Sequence, residues 1–106
     1  MAGEIIVLIT ASSADEGAKI GTALVNEHLA ACVNVVPEIR SLFFWEGKTR
    51  DECETLLICK STQEILDKLI SRVKSLHSYA VPEILALPIV GGSSDYITWM
   101  LQATKR

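Results

Sequence analysis

Cysteine is scarce in this chain, and none of it is spaced for pairing. Cys32, Cys53 and Cys59 are the three cysteines among 106 residues, and no two of them form a C-x-x-C motif. An odd number without such spacing argues against a disulfide framework and against a thioredoxin-like or zinc-ribbon site. Cys32 and Cys59 are expected on neighbouring strands but out of register. We therefore expect each cysteine to be a small buried apolar side chain in a reducing cytoplasm.

The chain also lacks an excess of positive charge and a long apolar run. Ten Lys and Arg residues stand against 13 Asp and Glu residues, which gives a formal net charge of -3. A binder of nucleic acid or of anionic membranes would present a basic stripe instead. No apolar stretch approaches the roughly 20 residues that span a bilayer. Glu4 lies where a secretory signal would carry Lys or Arg. We expect neither nucleic acid nor membrane as a partner, and a cytoplasmic protein.

Groups that act in catalysis are few. The chain has two histidines, His28 and His77, and no Ser-His-Asp or Cys-His arrangement follows from their positions. Gly91 and Gly92 are typical of a strand-to-helix turn rather than of a phosphate-binding loop. His28 falls in the last turn of a predicted helix, where a positive charge favours the helix dipole. The sequence therefore does not indicate an enzyme.

What the chain does contain is a regular succession of strand and helix patterns. Its length and its 49% hydrophobic content predict a single domain over 1–106 with its own core. The apolar, β-branched run at 5–9 predicts a central strand covered on both faces. Each S-x-x-E capping box, at 13–16 and at 61–64, indicates the start of a helix.

The full set of predicted elements defines a fold class. Pro88 lies inside the last strand, which indicates an edge position because proline cannot donate to the ladder. The order β-α-β-β-α-β followed by a helix predicts an α+β, ferredoxin-like sandwich. The predicted helices span 14–29, 62–76 and a segment capped by Ser93 through 104, and the predicted strands span 5–9, 32–45, 52–60 and 84–90.

The central hairpin is too long for a domain of this size. An arm of about 14 residues reaches about 45 Å when extended, whereas a domain of this length is roughly 35 Å wide. The hairpin must bend at Pro37, where we expect a bulge, or project from its domain. Projection would expose the apolar residues at 42–45, which a soluble monomer rarely leaves in water. We therefore expect another subunit to bury them.

Residues 77–83, between the second predicted helix and the last predicted strand, form a segment that we call the connector. The connector contains the candidate metal ligands. His77 and Glu83 lie there, and imidazole and carboxylate suit a borderline divalent ion such as copper or zinc. Two ligands are too few, so a third would come from elsewhere, most simply from another subunit. The alternative is that His77 bonds a backbone carbonyl and holds the loop in place.

A second group of candidates follows the hairpin. Glu52, Glu54 and Lys60 share one face of its second arm. These side chains could line a polar cleft, with Trp45 at its lip and Tyr79 from the connector nearby. The alternative is an ordinary solvated strand face.

Several segments in order resemble the CutA divalent-cation-tolerance family. The resemblance covers nearly the whole chain, and it implies a ferredoxin-like homotrimer, akin to PII signalling proteins, that is cytoplasmic and linked to tolerance of copper and other divalent ions. Some members are known to bind copper. The matching segments are 29–37 (LAACVNVVP), 44–48 (FWEGK), 58–62 (ICKST), 77–83 (HSYAVPE), 87–89 (LPI) and 96–99 (YITW).

The chain departs from that family at three positions. Ile9 stands where some members carry a thiol ligand, and Leu76 stands where they carry the first of two histidines. Ser78 replaces the usual proline of the connector. Of the family's ligand set only His77 remains, while the cleft positions Trp45, Lys60 and Tyr79 match.

Three functions follow from these observations. The first is a trimeric, metal-associated protein with copper or another divalent ion bound by His77 and Glu83 at an inter-subunit cleft. The second is a PII-like module that binds an anionic small molecule or a partner protein, with Lys60 and Arg40 at the cleft. The third is a structural trimer that anchors another protein.

Overall fold

The structure, a computed structural model, describes residues 3–105. The strands are β1 (Glu4–Ala11), β2 (Cys32–Trp45), β3 (Lys48–Thr62) and β4 (Ile84–Pro88). The helices are α1 (Ala14–Asn26), α2 (Leu66–Leu76), which follows a short 3-10 turn at Gln63–Ile65, and α3 (Ser94–Ala103). The predicted order of strands and helices is confirmed.

The sheet is antiparallel throughout, with the strand order β2-β3-β1-β4. β1 lies between β3 and β4, as its apolar run predicted. β4 is an edge strand, where Pro88 is tolerated although it has no N–H to donate. This order and the two crossover helices are those of the ferredoxin-like fold, so the predicted fold class is confirmed.

The core lies between the sheet and helices α1 and α2. Ile5, Val7 and Ile9 alternate along β1 and are almost wholly buried on the helix side. The residues between them are half-buried on the opposite face of the sheet. The helices therefore cover one face, and the other face, which we call the open face, carries no helix over most of its length.

Two glycines let α1 approach the sheet closely. A Cβ built on Gly17 would lie 3.0 Å from Thr55 Cγ2, and one built on Gly21 would lie 3.0 Å from Val33 Cγ1. Both distances are shorter than ordinary contacts between carbon atoms. The absence of a side chain at these two positions sets the distance between helix and sheet.

The first capping box is confirmed in part. The backbone N–H of Glu16 donates to Ser13 Oγ at 3.1 Å, as a capping box requires. The Glu16 carboxylate turns to Ser12 rather than to Ser13. α1 ends at Asn26 rather than at 29, because His28 adopts a left-handed conformation with φ 61°.

The cap predicted at Ser61 is wrong, and the one predicted at Ser93 is confirmed in position only. Ser61 belongs to β3, and its buried hydroxyl donates to the Leu29 carbonyl at 2.7 Å instead of capping a helix. Ser93 occupies the N-cap position of α3, but its side chain makes no capping hydrogen bond. Ser61 continues the row of buried residues Leu57 and Cys59 on the helix side of β3, so its position in the strand and not the capping pattern decides its role.

The hairpin projects as expected. β2 and β3 are paired from Trp45–Lys48 to Cys32–Lys60, with a bulge between Val36 and Ile39 that confirms the irregularity predicted at Pro37. The molecule measures 44 × 25 × 22 Å. The apolar tip at 42–45 is exposed, with Phe44 73% accessible. Within residues 3–105, no helix is long and apolar enough to cross a membrane.

Candidate functional site

The register of the sheet decides which predicted site residues share a face. Thr55, Leu57 and Cys59 of β3 point at the helices and are buried. The even-numbered residues of β3, which include Glu54 and Lys60, therefore lie on the open face. Trp45 pairs with Lys48 and lies on that same face. The predicted common face of Glu52, Glu54 and Lys60 agrees with this alternation, and Trp45 lies on the same face.

The same register sets these residues far apart within one subunit. Twelve residues of β3 separate Lys60 from Lys48, the partner of Trp45, a distance of about 40 Å at 3.3 Å per residue. Glu54 and Lys60 are about 20 Å apart on the same reckoning. A cleft that contains Trp45 and Lys60 together can form only between different subunits.

Tyr79 and Glu54 are brought together by the connector. Tyr79 Oη donates a 2.7 Å hydrogen bond to Glu54 Oε2. Glu54 is 7% exposed although it lies on the open face. Burial, and then the hydrogen bond to the Glu54 carboxylate, raise the pKa of Tyr79 above its usual range. The phenol therefore stays a hydrogen-bond donor at all physiological pH values.

Both ring nitrogens of His77 have hydrogen-bond partners within the chain. Its side chain has no exposed surface, Nε2 lies 2.7 Å from the Thr10 carbonyl, and Nδ1 accepts from the Tyr79 N–H at 3.0 Å. The carbonyl can only accept and the N–H can only donate, so the hydrogen bonds make Nε2 the donor of this ring and Nδ1 its acceptor. The ring of Tyr79 lies 4.7 Å away, centroid to centroid. His77 thus holds the connector against β1, the alternative noted from sequence.

Glu16 joins this cluster, and the sequence analysis did not find it as a site residue. Its carboxylate accepts from the Ser12 N–H at 2.9 Å and from the Ser78 N–H at 2.8 Å, and it lies 4.0 Å from His77 Nδ1. Burial would raise the pKa of Glu16, but the hydrogen bonds from Ser12 and Ser78 lower it to about 2. The capping-box pattern marks Glu16 as a helix-start residue but carries no signal for Ser78.

These residues do not complete a metal site within one subunit. Glu83 is exposed, and both nitrogens of His77 have hydrogen-bond partners. Across residues 3–105, no three side chains of His, Cys, Asp or Glu are grouped to hold a metal ion. A divalent cation bound at His77 and Glu83 needs further ligands from outside the subunit.

A second cluster lies at the end of the open face where β2 begins. Cys32, the first residue of β2, is directly opposite Lys60, and Lys60 Nζ lies 3.9 Å from Cys32 Sγ. Lys60 Nζ also donates to Asn34 Oδ1. Burial, and then the Cys32 thiol, raise the pKa of Tyr96 on α3. The sequence analysis expected Cys32 and Cys59 to be out of register, and they are, but by one residue only, since Val33 is opposite Cys59.

The three thiols occupy different environments. Cys59 is buried, as predicted, and burial raises its pKa to about 12. Cys32 is half-buried and Cys53 is exposed on the hairpin. The prediction that every cysteine is buried is therefore wrong for Cys53, because the projecting part of β3 has no helix over it.

Fold and site together define a class of protein: a ferredoxin-like α+β unit with a projecting hairpin and an open sheet face that carries two polar clusters. Residues 5–103 match the family model described as CutA1 divalent ion tolerance protein. The chain belongs to this family.

Individual relatives agree with that assignment. "Protein CutA, chloroplastic" of Arabidopsis thaliana is 45% identical over 101 residues, which are 95% of this chain and 56% of the plant protein. "Divalent-cation tolerance protein CutA" of Thermus thermophilus is 46% identical over 101 residues, 95% of this chain and 98% of that protein. This chain therefore spans little more than half of the plant relative and nearly all of the bacterial one.

A solved structure confirms the fold. The structure of the divalent cation tolerance protein Cut A1 from Thermus thermophilus matches with a TM-score of 0.94 at 46% identity. The match covers 96% of this chain and 99% of that one. The strand order and projecting hairpin described above are thus shared with a CutA1 protein.

Proposed function

We propose that this protein acts as a homotrimer in tolerance of divalent cations, and that a cation such as copper binds between its subunits. The family and the names of its relatives support the role in tolerance. The main observation in support of the homotrimer is that the open face exposes apolar side chains. Its exposed large side chains are Val36, Phe43, Trp45, Leu85 and Leu87.

A homotrimer accounts for both the open face and the hairpin tip. Contiguous apolar surface of this kind marks a protein interface. β2 and β4 are the two edges of the sheet, and each has unpaired backbone groups along one side. Three copies in a closed ring can cover the edges and place the tip of one hairpin on its neighbour.

The contacts of the connector support the proposal that a cation binds between subunits. Nε2 of His77 donates to a backbone carbonyl, the contact that commonly orients a metal-binding imidazole. Its lone pair on Nδ1 accepts from the Tyr79 N–H, so a cation there would compete with that hydrogen bond. Glu83 is exposed and can face a neighbouring subunit.

Copper titration by calorimetry of the assembled protein tests this site. We expect saturable binding that is lost in Glu83→Gln, an exposed position where the substitution leaves the fold intact, and also in His77→Ala. His28→Gln is the matched control, because His28 is the chain's other histidine and lies apart from the connector. Unchanged copper binding in Glu83→Gln and His77→Ala would remove both residues from the site, and a stable monomer in sedimentation would overturn the assembly.

A second candidate function is binding of an anionic small molecule. Lys60 supports it, since no carboxylate among residues 3–105 lies within salt-bridge distance of its ammonium group. A thermal-shift screen of nucleotides and organic acids on metal-free protein separates the two candidates: stabilisation by an anion but not by copper favours this one. In either case we propose a binding protein rather than an enzyme, and a location in the cytoplasm.

A further inference from the structure

We propose that the hydrogen bond between Tyr79 and Glu54, which we call the latch, controls the access of a cation to His77. The inference rests on the proposed function, because it concerns regulation of the same site. While the latch is closed, the one ring nitrogen of His77 that could bind a cation is occupied by the connector itself. Loss of the latch should therefore expose His77 and tighten cation binding.

The ring of His77 has no free nitrogen in this structure. Nε2 lies 2.7 Å from the Thr10 carbonyl, Nδ1 accepts from the Tyr79 N–H at 3.0 Å, and the side chain has no exposed surface. The lone pair on Nδ1 can accept that N–H or bind a cation, but it cannot do both. A cation therefore reaches Nδ1 only after the Tyr79 backbone has moved away, whereas the Thr10 contact uses the other nitrogen and can stay.

The side chain of Tyr79 holds that backbone in place. Its hydroxyl donates to Glu54 Oε2 at 2.7 Å, and its ring lies 4.7 Å from the ring of His77, centroid to centroid. Glu54 is only 7% exposed, so little water is available to replace the phenol as its donor. Hydrogen bonds to such a charged, poorly solvated acceptor are among the stronger ones. The N–H that covers Nδ1 and the hydroxyl that binds Glu54 belong to one residue, so the second contact stabilises the first.

The rest of the connector is loosely attached. Within residues 3–105, the hydrogen bonds that hold the connector come from its first three residues, and the one not yet counted joins the Ser78 N–H to Glu16 Oε2 at 2.8 Å. Residues 80, 81 and 83 are exposed, with Val81 68% accessible. A segment with few buried contacts opens at low cost. Once Tyr79 is released, only the Ser78 contact holds the segment between His77 and β4.

The size of the effect follows from the fraction of molecules in which the latch is open. A ligand that binds only the open arrangement has its apparent affinity reduced by that fraction. Removing a hydrogen bond of this kind should raise the open fraction by about 5- to 30-fold. A variant without the latch is thus expected to be less stable and yet to bind a cation more tightly.

The experiment compares the parent with Tyr79→Phe as full-length, assembled protein. Diethyl pyrocarbonate acylates accessible imidazole nitrogens, and peptide mass spectrometry gives the rate at His77 and at His28, which is exposed. Calorimetry gives the affinity for copper. In Tyr79→Phe we expect acylation of His77 and copper affinity both to rise at least about fivefold, with no change at His28.

Two further variants make the comparison specific. Glu54→Met removes the acceptor of the latch and should give the same two changes as Tyr79→Phe. Tyr96→Phe alters the chain's other tyrosine, which lies on α3, and should give neither. Where circular dichroism shows that Tyr79→Phe does not fold, Glu54→Met decides.

The outcomes separate the latch from the proposed function. An unchanged rate at His77 in the folded variants would overturn the latch, as would copper binding that depends on His77 but has the same affinity with and without the Tyr79–Glu54 bond. Faster acylation of His77 without copper binding in any variant would support the latch and overturn the metal site instead.

Discussion

Tyr79 Oη donates a 2.7 Å hydrogen bond to Glu54 Oε2, and this contact fastens the connector after α2 to the middle of β3. Glu54 is nearly buried, so the bond satisfies a carboxylate that has little access to water. His77 anchors the same connector to β1 through the Thr10 carbonyl. Hydrogen bonds to two strands, β1 and β3, therefore hold the connector in place.

Tyr79→Phe should destabilise the protein by about 1–2 kcal/mol, because it removes a hydrogen bond to a charged acceptor that is poorly solvated. The free energy of unfolding in urea measures the effect. Glu54→Met keeps the length of the side chain but removes the acceptor, and it serves as the second arm of a double-mutant cycle. If the two substitutions are simply additive, Tyr79 and Glu54 do not interact in the way described.

Glu16 predicts a pH dependence at the same end of the molecule. Its folded-state pKa of about 2 is below the ordinary value of 4.5, so it contributes stability above pH 4.5 that is lost as the pH falls toward 2. We expect Glu16→Gln to be less stable than the parent by about 2 kcal/mol at neutral pH and to show a flatter profile between these values.

Urea unfolding at a series of pH values from neutral to acidic checks this expectation. Glu64→Gln is the matched control, since Glu64 is an exposed carboxylate at the start of the 3-10 turn. An identical acid profile in the Glu16 variant and the parent would show that the contacts with Ser12 and Ser78 do not hold the charged form.

Local sequence patterns were sufficient to predict the strands and helices but not the contacts between them. The apolar run of β1, Pro37 and Pro88 each act through their immediate neighbours, so the central strand, the bulge and the edge strand could be predicted. Ser61 shows the limit of such reasoning. Its S-x-x-E pattern is that of a cap, but its alternation in β3 buries it against Leu29.

Two contacts of the candidate site could not be predicted for a related reason. The Cys32–Lys60 pair depends on strand register, which the bulge between Val36 and Ile39 shifts. The Glu16–Ser78 contact joins residues that are distant in the chain, and nothing near either residue signals the other. Tertiary packing decides both, and the alternation of residues along one strand does not contain that information.

The two α1 glycines should respond differently to alanine. Gly17→Ala places a methyl group 3.0 Å from Thr55 and 3.2 Å from Leu57, two side chains buried in the core. We expect it to destabilise by about 1–3 kcal/mol through overpacking. Gly21→Ala meets Val33, which is only half-buried and can shift. There the gain of about 1 kcal/mol in helix propensity should offset most of the cost.

Thermal and urea unfolding of the two variants under the same conditions makes this a matched comparison. Both substitutions remove the same backbone entropy and add the same methyl group, so the difference reports the packing at each position. Equal stability of the two variants would contradict the argument that the buried side chains near Gly17 cannot shift to make room for a methyl group.

The hairpin tip provides the last prediction. Phe44 and Trp45 are 73% and 46% exposed within one subunit, so replacing both with serine removes little from the core of that subunit. On the basis of the proposed trimer, we expect the double variant Phe44→Ser, Trp45→Ser to stay folded by circular dichroism but to dissociate at concentrations where the parent stays assembled. Sedimentation equilibrium measures the dissociation. Arg40→Ser is a suitable control, since its ion pair with Asp51 lies on the surface of the same hairpin and an exposed pair contributes little to stability. A double variant that remains trimeric would show that the tip does not contact a neighbouring subunit, and the open face of the sheet would then have to carry the assembly alone.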